Sequence, residues 1–221
     1  MSLEAWRSKP LIFVDDLDHP QISDSDLHHF RRARRLPDGA PIVISDGHGR
    51  WCPARFGAVA VADGDIVEEA EPIAPTTVGF APVKGDRPEW VVQKLTELGI
   101  DTIVALQTDH SVVRWDRARA DRQVHKWRTI ARQACMQSRR VRLPDVRPVT
   151  QLADFDLTSS VLAEPGGRPL DPSTDRTVMI GPEGGWSSKE LDGQATRSLP
   201  GGILRAETAA VAAAVLLAAA R

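Results

Sequence analysis

The chain has 221 residues, enough to bury a core in one large domain or two small ones. It is 42% hydrophobic and 26% charged, with a formal net charge of -2, an ordinary globular balance in which nothing global points to nucleic acid. Cys52 and Cys135 are far apart and form no CxxC pair, which argues against a disulfide framework or a zinc site and for a reducing, cytoplasmic setting. The charge is unevenly placed. Residues 1–72 hold 8 Lys/Arg against 13 Asp/Glu, whereas residues 114–142 hold 10 Lys/Arg against two acids, Asp116 and Asp121. A near-neutral total therefore hides a local basic face.

In chain order, the segment from Met1 to Arg7 lacks the apolar core of a signal peptide. Leu11 to Val14 reads as a strand. Ser23 to Arg35 reads as a short polar helix, its aspartates early and its arginines late, as the helix dipole favours. Pro41 to Ser45 and Trp51 to Phe56 are strands around the hairpin signal Asp46-Gly-His-Gly49, and Ala58 to Ala62 is a further strand before the turn at Asp63-Gly64. Short strands at this spacing imply a small barrel. The proline-spaced stretch Glu71 to Thr77 has the character of a linker, so a boundary is expected there, with domains over residues 1–72 and 73–221.

The second part alternates strands and helices. Val78 to Val83 is a strand, and Asp86 to Leu98 a helix with an Asp86/Glu89 capping pattern and Gly99 as its stop. Thr102 to Leu106 is a strand. Asp116 to about Ser138 is a long helix with Val124, Trp127, Ala131 and Ala134 as its apolar stripe. Val161 to Ala163 and Val178 to Ile180 are short buried strands, Ser187 and Glu190 cap a helix, Ile203-Leu204 is a last strand and Glu207 to Ala220 a last helix. The alternation implies an α/β fold with a mostly parallel sheet. The apolar run from Ala209 to Ala220 is too short to span a bilayer, so no membrane partner is expected.

Four segments carry the chemical signal. Ile180-Gly-Pro-Glu-Gly-Gly-Trp-Ser-Ser188 joins a buried strand to a helix through three glycines, which let backbone approach a ligand closely. A tight connection with no ligand would read the same way. Neither GxGxxG nor a phosphate-binding GKS or GKT loop occurs. Leu199 to Ala209 places a second glycine pair before Arg205, Glu207 and Thr208, at the only polar end of an alanine-rich helix. Gln137-Ser-Arg-Arg-Val-Arg142 puts arginines at a helix-to-loop junction, where they suit phosphate contacts, while Arg119, Arg122 and Lys126 read as a solvated face. His28-His-Phe-Arg-Arg-Ala-Arg-Arg35 is a basic run in an otherwise acidic segment. Its histidines lack a partner at metal spacing, and no metal is expected.

Together these segments resemble the RsmE family, the 16S ribosomal RNA uracil-N3 methyltransferases of the SPOUT superfamily. The resemblance runs through His29, Arg32 and Arg35; Lys84-Gly85, Gln93-Lys94 and Glu97-Leu98-Gly99; Cys135, Gln137, Arg140, Arg142 and Pro144; and Leu162 and Pro165. Its most specific parts are Ile180-Gly-Pro-Glu-Gly-Gly185 and Ile203-Leu-Arg-x-Glu-Thr-Ala209. The resemblance implies a small PUA-like β-barrel followed by a SPOUT-type α/β domain with a trefoil knot, a homodimer, and 16S rRNA of the small ribosomal subunit as partner. It implies S-adenosyl-L-methionine as cofactor, held by Leu162, Glu164, Pro165, Ile180, Gly181, Pro182, Gly184, Gly185, Leu199, Ile203, Leu204, Arg205 and Thr208. RNA is expected on Arg7, Arg31, Arg32, Arg35, Arg140 and Arg142. The chain departs from the family at Pro200-Gly201-Gly202, where an arginine usually follows glycine.

Methylation at N3 requires an unpaired or flipped uridine and loss of a proton. Glu207 is a candidate base, Arg140 and Arg205 are candidates for stabilising charge on the uracil oxygens, and Glu183 is a residue that shapes its turn. A SPOUT enzyme acting on a ribose 2′-hydroxyl and a non-catalytic RNA-binding protein are the competing readings.

Overall fold

The computed structural model describes Trp6 and residues 8–220. The chain divides into two compact units, one made of Met1–Pro72 with Arg132–Leu143, the other of Ile73–Ala131 with Pro144–Arg221. The expected division at 72/73 assigns residues 132–143 to the second part. They belong instead to the first, because Cys135, Met136 and Val141 pack into its core.

The first unit holds β1 (Leu11–Phe13), α1 (Asp24–Arg32), β2 (Pro41–Ser45), β3 (Arg50–Arg55), β4 (Val61–Ala62) and β5 (Val67–Glu68). Its sheet runs β1-β2-β3-β4, with β5 also on β3. The β2–β3 hairpin is antiparallel, and Gly47 and Gly49 take the positive φ values, 80° and 102°, that its turn demands. Ser45 Oγ donates to the Val141 carbonyl at 2.7 Å, satisfying buried polar groups on both segments. Helix α1 is capped by Ser23, whose hydroxyl accepts from the Asp26 amide. Asp26 is buried, and Arg132 satisfies it through two bonds of 3.2 and 2.6 Å.

The second unit contains β6 (Thr77–Phe80), α2 (Arg87–Glu97), β7 (Thr102–Gln107), most of α3 (Arg117–Ser138), β8 (Asp145–Val146), β9 (Thr150–Gln151), β10 (Ser160–Pro169), β11 (Thr177–Ile180), α4 (Ser188–Leu191), β12 (Thr196–Ser198) and α5 (Ala206–Ala219). The sheet order is β12-β10-β11-β6-β7-β8, with β9 on β7, and every pairing is parallel. Alternation along the strands sorts side chains onto two buried faces. Val78, Phe80, Ile103, Ala105, Val161, Val178 and Ile180 join the cluster that α2, α3 and α5 cover. Val104, Leu106, Leu162 and Met179 join Leu152 and Trp186 in a smaller cluster. Burial on both faces explains why these strands read as continuous apolar runs.

Some local expectations change. Asp86 stands at the N-cap of α2 without a side-chain cap bond, its φ of -96° and ψ of 1° lying outside the extended region that capping favours, and Glu89 is engaged by Lys126 at 2.8 Å. Ser187 and Glu190 do form a reciprocal capping box, on a helix of one turn. Ile203-Leu204 is not a strand. The last strand is β12, and Ile203 is 91% exposed in the loop that follows. No helix among the described residues is long and apolar enough to cross a membrane.

Candidate functional site

In a parallel sheet all strands end at one edge, and connections there are free to build a ligand site. Three connecting stretches, the bulge within β10 after Ala163 and the loops after Ile180 and after Ser198, line a cleft of about 760 Å³ in the second unit, within the range typical of small-molecule sites. The middle connection is the glycine turn. Gly185 has φ 71°, and a side chain built there would meet open space, so its backbone is accessible. Trp186 folds under the turn, is 7% exposed, and donates its indole N–H to the Ala163 carbonyl at 3.0 Å. This bond ties the glycine turn to β10 where its bulge begins.

Two residues after β7 pin the turn, and neither lines the cleft. His110 Nδ1 lies 3.1 Å from the carbonyls of both Gly184 and Gly185. Carbonyls only accept, so Nδ1 carries the hydrogen. Asp109 accepts from the Ser187 hydroxyl at 2.6 Å, and its own amide donates to Glu190 at 2.9 Å. Sequence reasoning missed Asp109 and His110. The available signal was positional: they follow a strand of the same parallel sheet, at the same edge.

Most of the residues expected to hold a cofactor converge on this cleft. Glu164 and Pro165 come from the first connection. Ile180, Gly181, Pro182, Gly184 and Gly185 come from the second, and Leu199, Ile203, Leu204 and Arg205 from the third. Leu162 does not line it. Its side chain is buried under the sheet and its amide is given to the Ala195 carbonyl. Thr208 is exposed and also lies outside the lining. Gly201 and Gly202 do contribute, so the Pro200-Gly201-Gly202 departure falls on the cleft wall itself.

The charged groups are unevenly disposed. Glu164, Glu183 and Arg205 line the cleft. Glu207 does not. Its side chain is 14% exposed, Oε1 lies 3.4 Å from Arg87 Nη1, and Oε2 is buried with no hydrogen-bond partner. In this geometry Glu207 is engaged by Arg87 and lies outside the cleft lining. Glu183 lies 3.5 Å from the same Arg87 nitrogen. Arg87 is a third residue that the sequence reading did not single out.

The two arginine-bearing segments belong to the first unit, where α1 and residues 132–143 share one core. Arg32 is exposed, and Arg35 is exposed with a left-handed φ of 51°. Arg31 is also exposed but makes bonds of 2.9 and 3.2 Å to Asp38. Arg139 is left-handed as well, with φ 63°; burial and the neighbouring Arg34 both pull its pKa down. Like charges held near each other favour an anionic partner. Arg140 donates its backbone amide to Cys135. Arg142 is committed internally, giving one N–H to the Glu69 carbonyl at 2.8 Å and lying 3.8 Å from Glu71. Arg7 lies outside the described residues.

A family model described as RNA methyltransferase domain matches residues 69–218. The chain is 31% identical to the ribosomal RNA small subunit methyltransferase E of Mycobacterium bovis, over 84% of this chain and 80% of the relative. Among solved structures it is similar to a methyltransferase of Legionella pneumophila in complex with the bound cofactor SAM, with a TM-score of 0.80 at 25% identity, covering 96% and 98% of the two chains. It is also similar to a ribosomal RNA small subunit methyltransferase E of Neisseria gonorrhoeae bound to S-adenosyl methionine, with a TM-score of 0.77 at 27% identity, covering 94% and 96%.

Proposed function

We propose that this chain, which belongs to the RNA methyltransferase family, transfers a methyl group from S-adenosyl-L-methionine to N3 of a uridine in 16S rRNA of the small ribosomal subunit. The observation that carries the reading is the glycine-walled cleft at the carboxyl edge of the parallel sheet. Its residues fit the cofactor. Accessible backbone at Gly185 and the apolar walls of Pro165, Leu199 and Leu204 suit a nucleoside, while the Glu164 and Glu183 carboxylates suit a cationic ligand. When bound, the cofactor supplies a methyl group on positively charged sulfur.

The chain's own work is then positioning and charge placement. The turn from Gly181 to Gly185, pinned by His110 and Trp186, holds the cofactor wall rigid. Arg205, exposed on that wall, stabilises negative charge developing on the uracil oxygens as N3 loses its proton. Glu207 is the ion-pair partner of Arg87 at the start of the last helix. In the first unit, Arg32 and Arg35 with the Arg34/Arg139 pair supply phosphate contacts for RNA.

The finer architecture follows the same family reading: a PUA-like barrel for the first unit, a trefoil knot for the C-terminal segment, and a homodimer in the cytoplasm. The second copy as partner rests on the family reading, and light scattering at micromolar concentration tests it directly. The deciding experiment incubates the protein with hypomethylated small subunits and labelled cofactor, then digests the RNA. Label in 3-methyluridine is the expected result. Label in a 2′-O-methyl nucleoside rejects N3 in favour of ribose, and no label together with no cofactor binding makes the protein a non-catalytic RNA binder.

A further inference from the structure

Arg87 is the first residue of α2, just beyond the carboxyl end of β6. One of its guanidinium nitrogens, Nη1, lies 3.5 Å from Glu183 in the glycine turn and 3.4 Å from Glu207 in the first turn of α5. The first carboxylate lies in one glycine-bearing connection that walls the cleft, and the second follows the other. Glu183 is half-exposed, but Glu207 is mostly enclosed, and its second oxygen has no hydrogen-bond partner among the described residues. A single cation therefore serves two anions, one of which water cannot compensate.

We infer that Arg87 is a positioning residue for cofactor binding: as shared counter-ion of Glu183 and Glu207 it holds the glycine turn against the start of the last helix and thereby sets the width of the cleft. This rests on reading the cleft as the S-adenosyl-L-methionine site. Without the guanidinium, the two carboxylates repel each other across the gap it fills, and the enclosed one gains by moving toward solvent. Both movements carry cleft wall with them. The cost falls on the bound geometry, so the loss appears mainly in cofactor affinity and KM and less in kcat.

The test is calorimetric titration of the full chain with S-adenosyl-L-methionine and with S-adenosylhomocysteine. Arg87→Ala should bind roughly tenfold more weakly than wild type, the scale of two partly exposed ion pairs acting together. Arg87→Lys, which keeps the charge, should recover most of the affinity. Amide exchange of the cofactor-free protein should quicken over residues 181–185 in Arg87→Ala. Glu183→Gln, at a half-exposed position, should weaken the effect of Arg87→Ala when the two are combined. Wild-type affinity in Arg87→Ala, or Arg87→Lys as weak as Arg87→Ala, overturns the counter-ion role while leaving the cofactor site intact. A wild-type protein that binds neither compound overturns the site and this inference together.

Discussion

Gly181→Ala tests the cofactor wall at its tightest point. Gly181 is not in the left-handed region, so the substitution adds no backbone strain and acts through contact alone. The new Cβ would stand 3.0, 3.2 and 3.3 Å from Cε2, Cδ2 and Cζ2 of Trp186. That ring cannot readily retreat. It is 7% exposed, packs with Leu162 and Met179, and is held by its 3.0 Å bond to the Ala163 carbonyl. Overpacking of this kind costs about 1–3 kcal/mol. If the ring holds, the turn moves into the cleft and cofactor affinity falls by up to the same amount, roughly 5- to 150-fold. If the turn holds, the cost appears as lost stability. Calorimetry of S-adenosylhomocysteine binding, alongside urea unfolding, separates the two. Trp186→Leu in the same chain should relieve the binding defect. A Gly181→Ala protein that both binds and unfolds as wild type does would refute the packing argument.

Gly184→Val should weaken cofactor binding while the chain stays folded; its Cβ presses first on His110, 3.2 Å away, so adding His110→Ala should restore part of the affinity, and undiminished binding places the site elsewhere. Asp175 is 5% exposed and takes two bonds, 2.6 and 3.0 Å, from Arg197 on the strand that leads into the cleft; Asp175→Ala strands that arginine and should cost about 3 kcal/mol in urea unfolding, with a loss below about 1 kcal/mol counting against it. Burial pushes the Cys135 thiol up to about 12 from the ordinary 9.0. The folded chain thus keeps a proton that the unfolded chain releases, so stability should decline as pH rises from about 9 toward 12, and Cys135 should resist alkylation at pH 8 until the chain unfolds. Arg32→Ala should shallow the salt dependence of RNA binding by a log–log slope of roughly 0.7 to 0.9, and an unchanged slope puts Arg32 outside the interface.

What the sequence determined by itself was local. Period and punctuation located the strands near Leu11, Pro41, Thr102 and Val178, because a chain segment's apolar repeat reflects how its own side chains divide between faces. The Ser187/Glu190 capping box and the Gly99 stop were readable for the same reason, since each depends on residues within one helical turn. The glycine turn and the segment before α5 were legible as motifs, and the sheet brings both to one cleft.

Only the tertiary structure decided which side chains those motifs would meet. No local pattern sends residues 132–143 to the first unit; that follows from Cys135, Met136 and Val141 finding a core formed by strands about ninety residues earlier. Nor does spacing reveal that Leu162 turns under the sheet while Glu164, two positions on, lines the cleft, because a register shift lies between Ala163 and Arg168 in β10. Glu207 read as a reactive carboxylate and is instead enclosed by an arginine 120 residues before it in the chain. Arg87 and His110 went unnoticed because each stands in an ordinary sequence context. Their roles come from long-range pairing across parallel strand ends, where burial and the hunger of enclosed polar groups for partners, and not local propensity, select the contact.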